Sequence, residues 1–149
     1  MNIDWRLYEF RELRIDTLYQ IMVARQEVFV VEQNCPYLDA DGFDDKALHL
    51  CGFWNGELVA YSRLFAPNIK YAEASIGRVL TTKPIRRKGI GKQLMTEAIA
   101  YCHQLFPGAS IRISAQSYLE SFYGELGFVP VSDEYLEDGI PHHEMLLYV

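Results

Sequence analysis

No apolar run in this chain approaches the ~20 residues that a helix needs to cross a bilayer. The opening MNIDWRLYEF carries acid and has no continuous apolar core, so it lacks the form of a secretory signal. Cysteine is scarce: Cys35, Cys51 and Cys102 are odd in number and widely spaced, with no C-x-x-C pair. That pattern argues against a disulfide framework or a zinc site and fits buried thiols in a reducing compartment. Repeats, low-complexity tracts and linkers are also missing. With 149 residues, half of them apolar, the chain has enough material for one domain over 1–149 with a real core. A soluble, cytoplasmic protein with no membrane partner is the expectation.

Charge is missing in two places. From Ala74 to Thr96 there is no acid, while Arg78, Lys83, Arg86, Arg87, Lys88 and Lys92 put 6 of the 14 basic residues in one window. From Glu32 to Asp45 there is no cation, while Asp39, Asp41 and Asp44 fall between. The net charge of -6 argues against general nucleic-acid binding. A polyanionic ligand and a cationic or amine-bearing one would suit the two patches; on charge alone, two solvated surfaces fit equally well.

Several motifs fail on inspection. Gly89-Ile90-Gly91-Lys92 looks like the tail of a P-loop, but the position for its first glycine holds Arg86, and Gln93 stands where a hydroxyl should hold Mg²⁺. Gly91 is followed by Leu94 rather than a third glycine, so the dinucleotide fingerprint is incomplete. DADGFDD places glycine and acids wrongly for a calcium loop, His142-His143 lacks zinc spacing, and there is no G-x-S-x-G elbow. No metal is expected.

What is present reads as a mixed α/β domain in the order β, α, ββ, β, α, β, α, ββ. WRLYEF has strand character. A helix follows from Asp16 as cap, with Leu18, Ile21, Met22, Val28 and Phe29 recurring at a drifting three-to-four spacing. Asn55-Gly56 between apolar runs signals a hairpin. SIGRVLTT is a strand, and Ile90, Leu94, Met95, Ala98, Ile99, Cys102 and Leu105 form one helical stripe stopped by Pro107-Gly108. SIRIS is a strand, Ser117 to Glu120 has the capping-box pattern, and FVPVS and HEMLLYV close the chain as strands.

A strand that runs through a basic, glycine-containing turn into a helix presents unpaired N–H groups and the positive end of the helix dipole to an anion. The segment Arg86-Arg87-Lys88-Gly89-Ile90-Gly91-Lys92 therefore predicts a phosphate or pyrophosphate ligand, with the arginines able to engage oxygens bidentately.

Arg86-x-x-Gly89-x-Gly91 resembles the Q/R-x-x-G-x-G/A coenzyme-A motif of the GNAT family of N-acetyltransferases. Phe122-Tyr123-Gly-Glu-Leu-Gly127-Phe128, about thirty residues on, is similar to that family's FYxxxGF segment. The resemblance covers nearly the whole chain and is closer still to the ElaA-type subgroup, in VFVVEQNCPYLDADG, HLCGFW, GRV and EDGIPH. It implies a mixed, mostly antiparallel sheet of about six to seven strands flanked by helices, with a splayed central strand pair. It also implies direct acetyl transfer from acetyl-CoA to a primary amine of a small molecule or peptide. Val79, Leu80 and Thr81 would pair with the pantetheine arm, the backbone of Arg87 to Lys92 would cradle the pyrophosphate, and Gln116 would lie near the cofactor. Tyr123 would be the acid for the departing thiolate.

An alkylamine is mostly protonated at neutral pH, so a base is needed, and His49, Glu32 and His142 are the candidates. A backbone N–H near Val79 could receive the oxyanion. Two other readings stand beside this one. Arg25-x-x-Val28-Phe29, Asp41-Gly-Phe-Asp44 and Ser62-Arg63-Leu64 also resemble the N-terminal portion of acyl-homoserine-lactone synthases, and a CoA-binding module without chemistry would keep the same motifs. A homodimer through a sheet edge is compatible with all three.

Overall fold

The computed structural model describes residues 1–149. Eight strands form one sheet: β1 (Asp4–Glu9), β2 (Leu48–Trp54), β3 (Glu57–Phe65), β4 (Ala74–Thr81), β5 (Ile111–Gln116), β6 (Val129–Pro130), β7 (Tyr135–Glu137) and β8 (Ile140–Leu147). Their order is β1-β2-β3-β4-β5-β8-β6, with β7 also on β8. All neighbours are antiparallel except β4 and β5. Eight strands replace the six to seven expected, because the short β7 had no apolar run to announce it.

Asn55 (φ 51) and Gly56 (φ 80) make the anticipated two-residue turn between β2 and β3; both adopt the left-handed conformation such a turn requires. Asp138 (φ 53) and Gly139 (φ 76) make a second one between β7 and β8, which the Asp-Gly pair in the sequence could have revealed.

Helix α1 (Ile15–Gln26) lies over one face of the sheet, where Ile21 and Ala24 meet Cys51, Leu58, Tyr61 and Leu80. It starts two residues earlier than read, with Arg14 at the cap; the Asp16 carboxylate accepts from Thr17 N–H within the first turn instead of capping. The helix then widens into a π-helical segment, Glu27–Glu32. Its i→i+5 repeat explains why the apolar spacing drifted, and it turns Val28 and Phe29 toward the sheet.

Helix α2 (Ile90–Leu105) covers the other face and buries Ile90, Leu94, Met95, Ala98 and Cys102 in the main core. Truncating one of these, such as Leu94 to Ala, would cost about 2–5 kcal/mol. Leu105, assigned to the same stripe, is exposed at the helix end. Helix α3 (Glu120–Glu125) follows a 3₁₀ turn at Ser117–Leu119. The expected capping box is not formed there: the Ser117 hydroxyl bonds His143 Nδ1 at 2.9 Å.

Two irregularities in the sheet set the site. β4 and β5 pair only at Ala74↔Ile111 and Ser75↔Arg112 and then part, leaving one backbone edge of β4 from Ile76 to Thr81 without a strand partner. On its other edge, Tyr61↔Leu80 is followed by Arg63↔Gly77, so β4 uses one more residue than β3 across that interval. The extra residue is a β-bulge, with Arg78 at φ 50, and the Gly77 carbonyl it frees accepts a bond from the Ser62 hydroxyl at 2.8 Å.

Candidate active site

The gap between β4 and β5 opens into a cleft of about 520 Å³. β4 supplies Ile76 through Thr81, the π-helical segment supplies Val28, Phe29 and Glu32, and β5 supplies Ile113, Ser114 and Gln116. Tyr118, Leu119 and Tyr123 close one side, and Glu137 and His142 from the β7–β8 hairpin close another. Val79, Leu80, Thr81, Arg86, Gln116, Tyr123, Glu32 and His142, distant in sequence, are thus brought to one place.

At one end the chain leaves β4 through a 3₁₀ turn, Lys83–Ile85, and enters α2. Arg87 (φ 64) and Gly89 (φ 77) both take left-handed conformations, and Gly89 is the cap residue, with no side chain capping the helix and no acid in its first turn. The first N–H groups of α2 are therefore left for an external acceptor. A side chain at Gly89 would meet no atom within 4 Å, and at Gly91 only Phe122 at 3.9 Å, so the backbone here borders open space. Arg87, Lys88 and Lys92 are exposed. Ile90 is 2% exposed in the core, so its contribution to any ligand is its backbone.

Arg86 behaves differently from the free cation expected. Its Nε and Nη2 donate to the Thr81 carbonyl at 3.1 and 3.0 Å, and Nη2 also reaches Glu32 Oε1 at 2.8 Å. It fastens the end of β4 to the loop and the π-helical segment, and it occupies the Thr81 carbonyl that a pantetheine arm was expected to use.

Tyr123 lies on the cleft wall, 7% exposed, against Phe122 and Phe128. Burial, helped by Tyr118, pushes its phenol up to about 12. Gln116 ends β5 and its amide donates to Gln33 at 3.2 Å.

The three candidate bases separate. His49 is fully buried on β2 and does not reach the cleft. The Asp44 carbonyl, 2.8 Å from its Nε2, can only accept, so Nε2 carries the proton and Nδ1 accepts from the Tyr61 hydroxyl at 2.6 Å. Burial lowers its pKa, and its one lone pair is occupied. Glu32 lines the cleft but is paired with Arg86.

His142 is 6% exposed and faces the cavity. Its Nδ1 lies 2.6 Å from the Ile140 carbonyl and must donate to it, which leaves the lone pair of the neutral ring on Nε2. Glu137 Oε2 is 3.4 Å from that nitrogen, and Tyr135 stacks on the ring. Glu137 escaped the sequence reading because its strand did.

The acidic run is not a lure for cations from solvent. Arg25, fully buried, donates from Nε to Asp39 at 2.6 Å, from Nη1 to Asp44 and from Nη2 to the Asp39 carbonyl. Arg63 grips both oxygens of Asp41 at 2.8 Å and reaches Asp44 at 3.1 Å. Arg78 Nε comes within 2.7 Å of Asp39 Oδ1, but its N–H is not directed at that oxygen and neither atom has a hydrogen bond. These pairs fasten the loop before β2 to α1, β3 and the bulge. Among the positions that resemble acyl-homoserine-lactone synthases, Arg25, Asp41, Asp44 and Arg63 belong to these pairs. No group of three or more His, Cys, Asp or Glu side chains converges as a metal centre.

The family model for the acetyltransferase (GNAT) domain matches residues 20–149. The chain belongs to the GNAT acyltransferase family. Its relatives include the UPF0039 protein sll0451 of Synechocystis, 44% identical over 100% of this chain and 97% of that protein. Protein ElaA of Escherichia coli is 40% identical over 94% of this chain and 93% of its own length. The crystal structure of that ElaA superposes with a TM-score of 0.91 over 97% of this chain and 99% of that one. An acyl-CoA N-acyltransferase from Pseudomonas aeruginosa, 39% identical, superposes at 0.93 over the same shares. The GNAT assignment covers the sheet, the splayed strands and the basic turn alike.

Proposed function

We propose that the cleft binds acetyl-CoA and passes its acetyl group directly to a primary amine. The observation that carries this reading is the parting of β4 and β5, which leaves the β4 edge bare beside an uncapped helix start. The pyrophosphate rests on the backbone from Arg87 to Lys92, with Arg87, Lys88 and Lys92 adding charge. The pantetheine arm pairs with β4 at Val79 and Leu80, near Gln116, while the Thr81 carbonyl stays with Arg86. Amine attack forms a C–N bond and places negative charge on the carbonyl oxygen, which the N–H of Val79 at the bulge receives.

His142 Nε2 takes the proton from the amine, and Glu137 stabilises the imidazolium that results. The C–S bond then breaks, and the thiolate leaves facing the Tyr123 hydroxyl. No covalent acyl-enzyme is involved. The three free, buried cysteines fit a cytoplasmic protein of this kind.

Calorimetry with acetyl-CoA tests the reading, with ATP as control ligand. Gly89→Glu places a carboxylate in the cradle and abolishes binding; Gly89→Ala imposes the same left-handed backbone strain without the charge and retains it. Absence of acetyl-CoA binding to the unmodified protein refutes the proposal.

A further inference from the structure

Helix α1 carries apolar residues on both of its faces. Ile21 and Ala24 are buried against the sheet, yet Ile15, Tyr19 and Val23 on the outer side are 89, 71 and 39% exposed. These three stand at i, i+4 and i+8 and so form one stripe, with Met22 half-buried beside it. A surface helix normally turns charge outward, and an exposed apolar stripe marks a contact with something else.

The stripe is suited in shape and charge to a copy of itself. Ile15 and Val23 lie four residues to either side of Tyr19, about 6 Å along the axis each way. Two shallow hollows meet at Tyr19 and Gln20: Arg14, Ile15 and Asp16 line one, and Val23, Glu27 and Glu57 line the other. The Gln20 side chain is already engaged, accepting from Leu58 N–H at 3.3 Å. Positive and negative charge fall at opposite ends of the stripe. At its start Arg14 has one ion-pair contact, an exposed 3.4 Å approach to Asp16. At its end Glu27 and Glu57 are exposed, and neither is in an ion pair or a side-chain hydrogen bond.

A two-fold axis through Tyr19 would run α1 of one copy antiparallel to α1 of the other. Ile15 then meets Val23 twice, each Tyr19 enters the hollows beside its mate, and Arg14 of each copy faces Glu27 and Glu57 of the other. The sheet edges are poorer candidates for pairing. β1 carries exposed charges at Asp4, Arg6 and Glu9, and β6 is two residues long.

We infer that the outer face of α1 binds a second copy of this chain, forming a symmetric dimer by antiparallel packing of the two helices. Because α1 continues directly into the π-helical segment, the contact braces the cleft wall that carries Val28, Phe29 and Glu32. The dimer is independent of which reaction the cleft performs.

Sedimentation velocity of the full chain, run from about 1 to 300 µM, is expected to show twice the monomer mass, with a dissociation constant on the order of 10 µM for an interface at the small end of the stable range. Tyr19→Glu sets two like charges at the axis and should raise that constant at least ~100-fold. The position is exposed, so far-UV circular dichroism should show the variant folded. Arg14→Glu and Glu27→Arg should each weaken association about tenfold, through like charges at both ends. Mixed one to one, these two variants bring opposite charges together again and should regain most of the unmodified affinity, as should the double variant. A chain that stays monomeric at the highest concentration overturns the inference. So does a dimer that Tyr19→Glu leaves intact, or one that the single charge reversals do not weaken.

Discussion

Replacing Tyr123 by phenylalanine separates two ways in which its hydroxyl can help the thiolate leave. Burial raises the phenol to about 12, whereas an ordinary alkyl thiol ionises near ~8.5. Full proton transfer from this phenol to a free thiolate would run uphill by roughly 3.5 pKa units, or about 5 kcal/mol. Tyr123 is therefore expected to act as a hydrogen-bond donor to the developing thiolate, with the final proton supplied by solvent. A bond to a charged partner is worth about 1.5–3 kcal/mol, which predicts a fall in kcat of roughly 10- to 150-fold in Tyr123→Phe. KM for acetyl-CoA should move little, since the ground-state thioester gains almost nothing from the hydroxyl. Steady-state rates between pH 6 and 10 check this, because a phenol held near 12 contributes no alkaline limb in that range. A loss beyond ~10⁴-fold, or an unchanged kcat, would refute the argument from the raised pKa.

Two further outcomes follow from the buried charges. Arg25→Met leaves Asp39 and Asp44 short of their buried partner and should cost about 3–5 kcal/mol in denaturant unfolding; a loss below ~1 kcal/mol would show that the loop does not depend on that guanidinium. Stability should also fall with acid. Burial holds His49 below its ordinary pKa, so the unfolded chain takes up that proton first and stability declines as pH drops through ~6.5 toward the folded value. Asp41 adds a deeper loss: burial would raise its pKa, but the hydrogen bonds and charge of Arg63 outweigh that and hold it far below the carboxylate range. Its contribution is present above ~4 and disappears only in strong acid. Thermal melts of His49→Gln against the unmodified protein check the first step, which should vanish in the variant.

Local chemistry made part of this fold legible in the chain. The Asn55-Gly56 turn, the stripe of α2 and the basic approach to its N-terminus are each written in consecutive residues. The glycine of the FYxxxGF segment also has a local cause: Gly127 sits at φ 103, and a Cβ there would come within 2.9 Å of Leu147. The splay of β4 from β5 was legible only through the resemblance, because nothing in SIGRVLTT or SIRIS says where pairing stops.

What escaped was set by partners far along the chain. Asp39, Asp41 and Asp44 read as a free acidic surface because Arg25 and Arg63 lie 14 to 22 residues away and arrive only through folding. His49 and His142 were equal candidates in sequence, each a lone histidine near a strand. The fold distinguishes them by where the carbonyls fall: one at Nε2 of His49 and a hydroxyl at its other nitrogen, one at Nδ1 of His142. The first ring has both nitrogens occupied inside the core, while the second keeps a lone pair facing the cleft, with a carboxylate beside it. Proposing His142 rather than His49 as the base thus rests on backbone placement, which residue type and spacing do not encode.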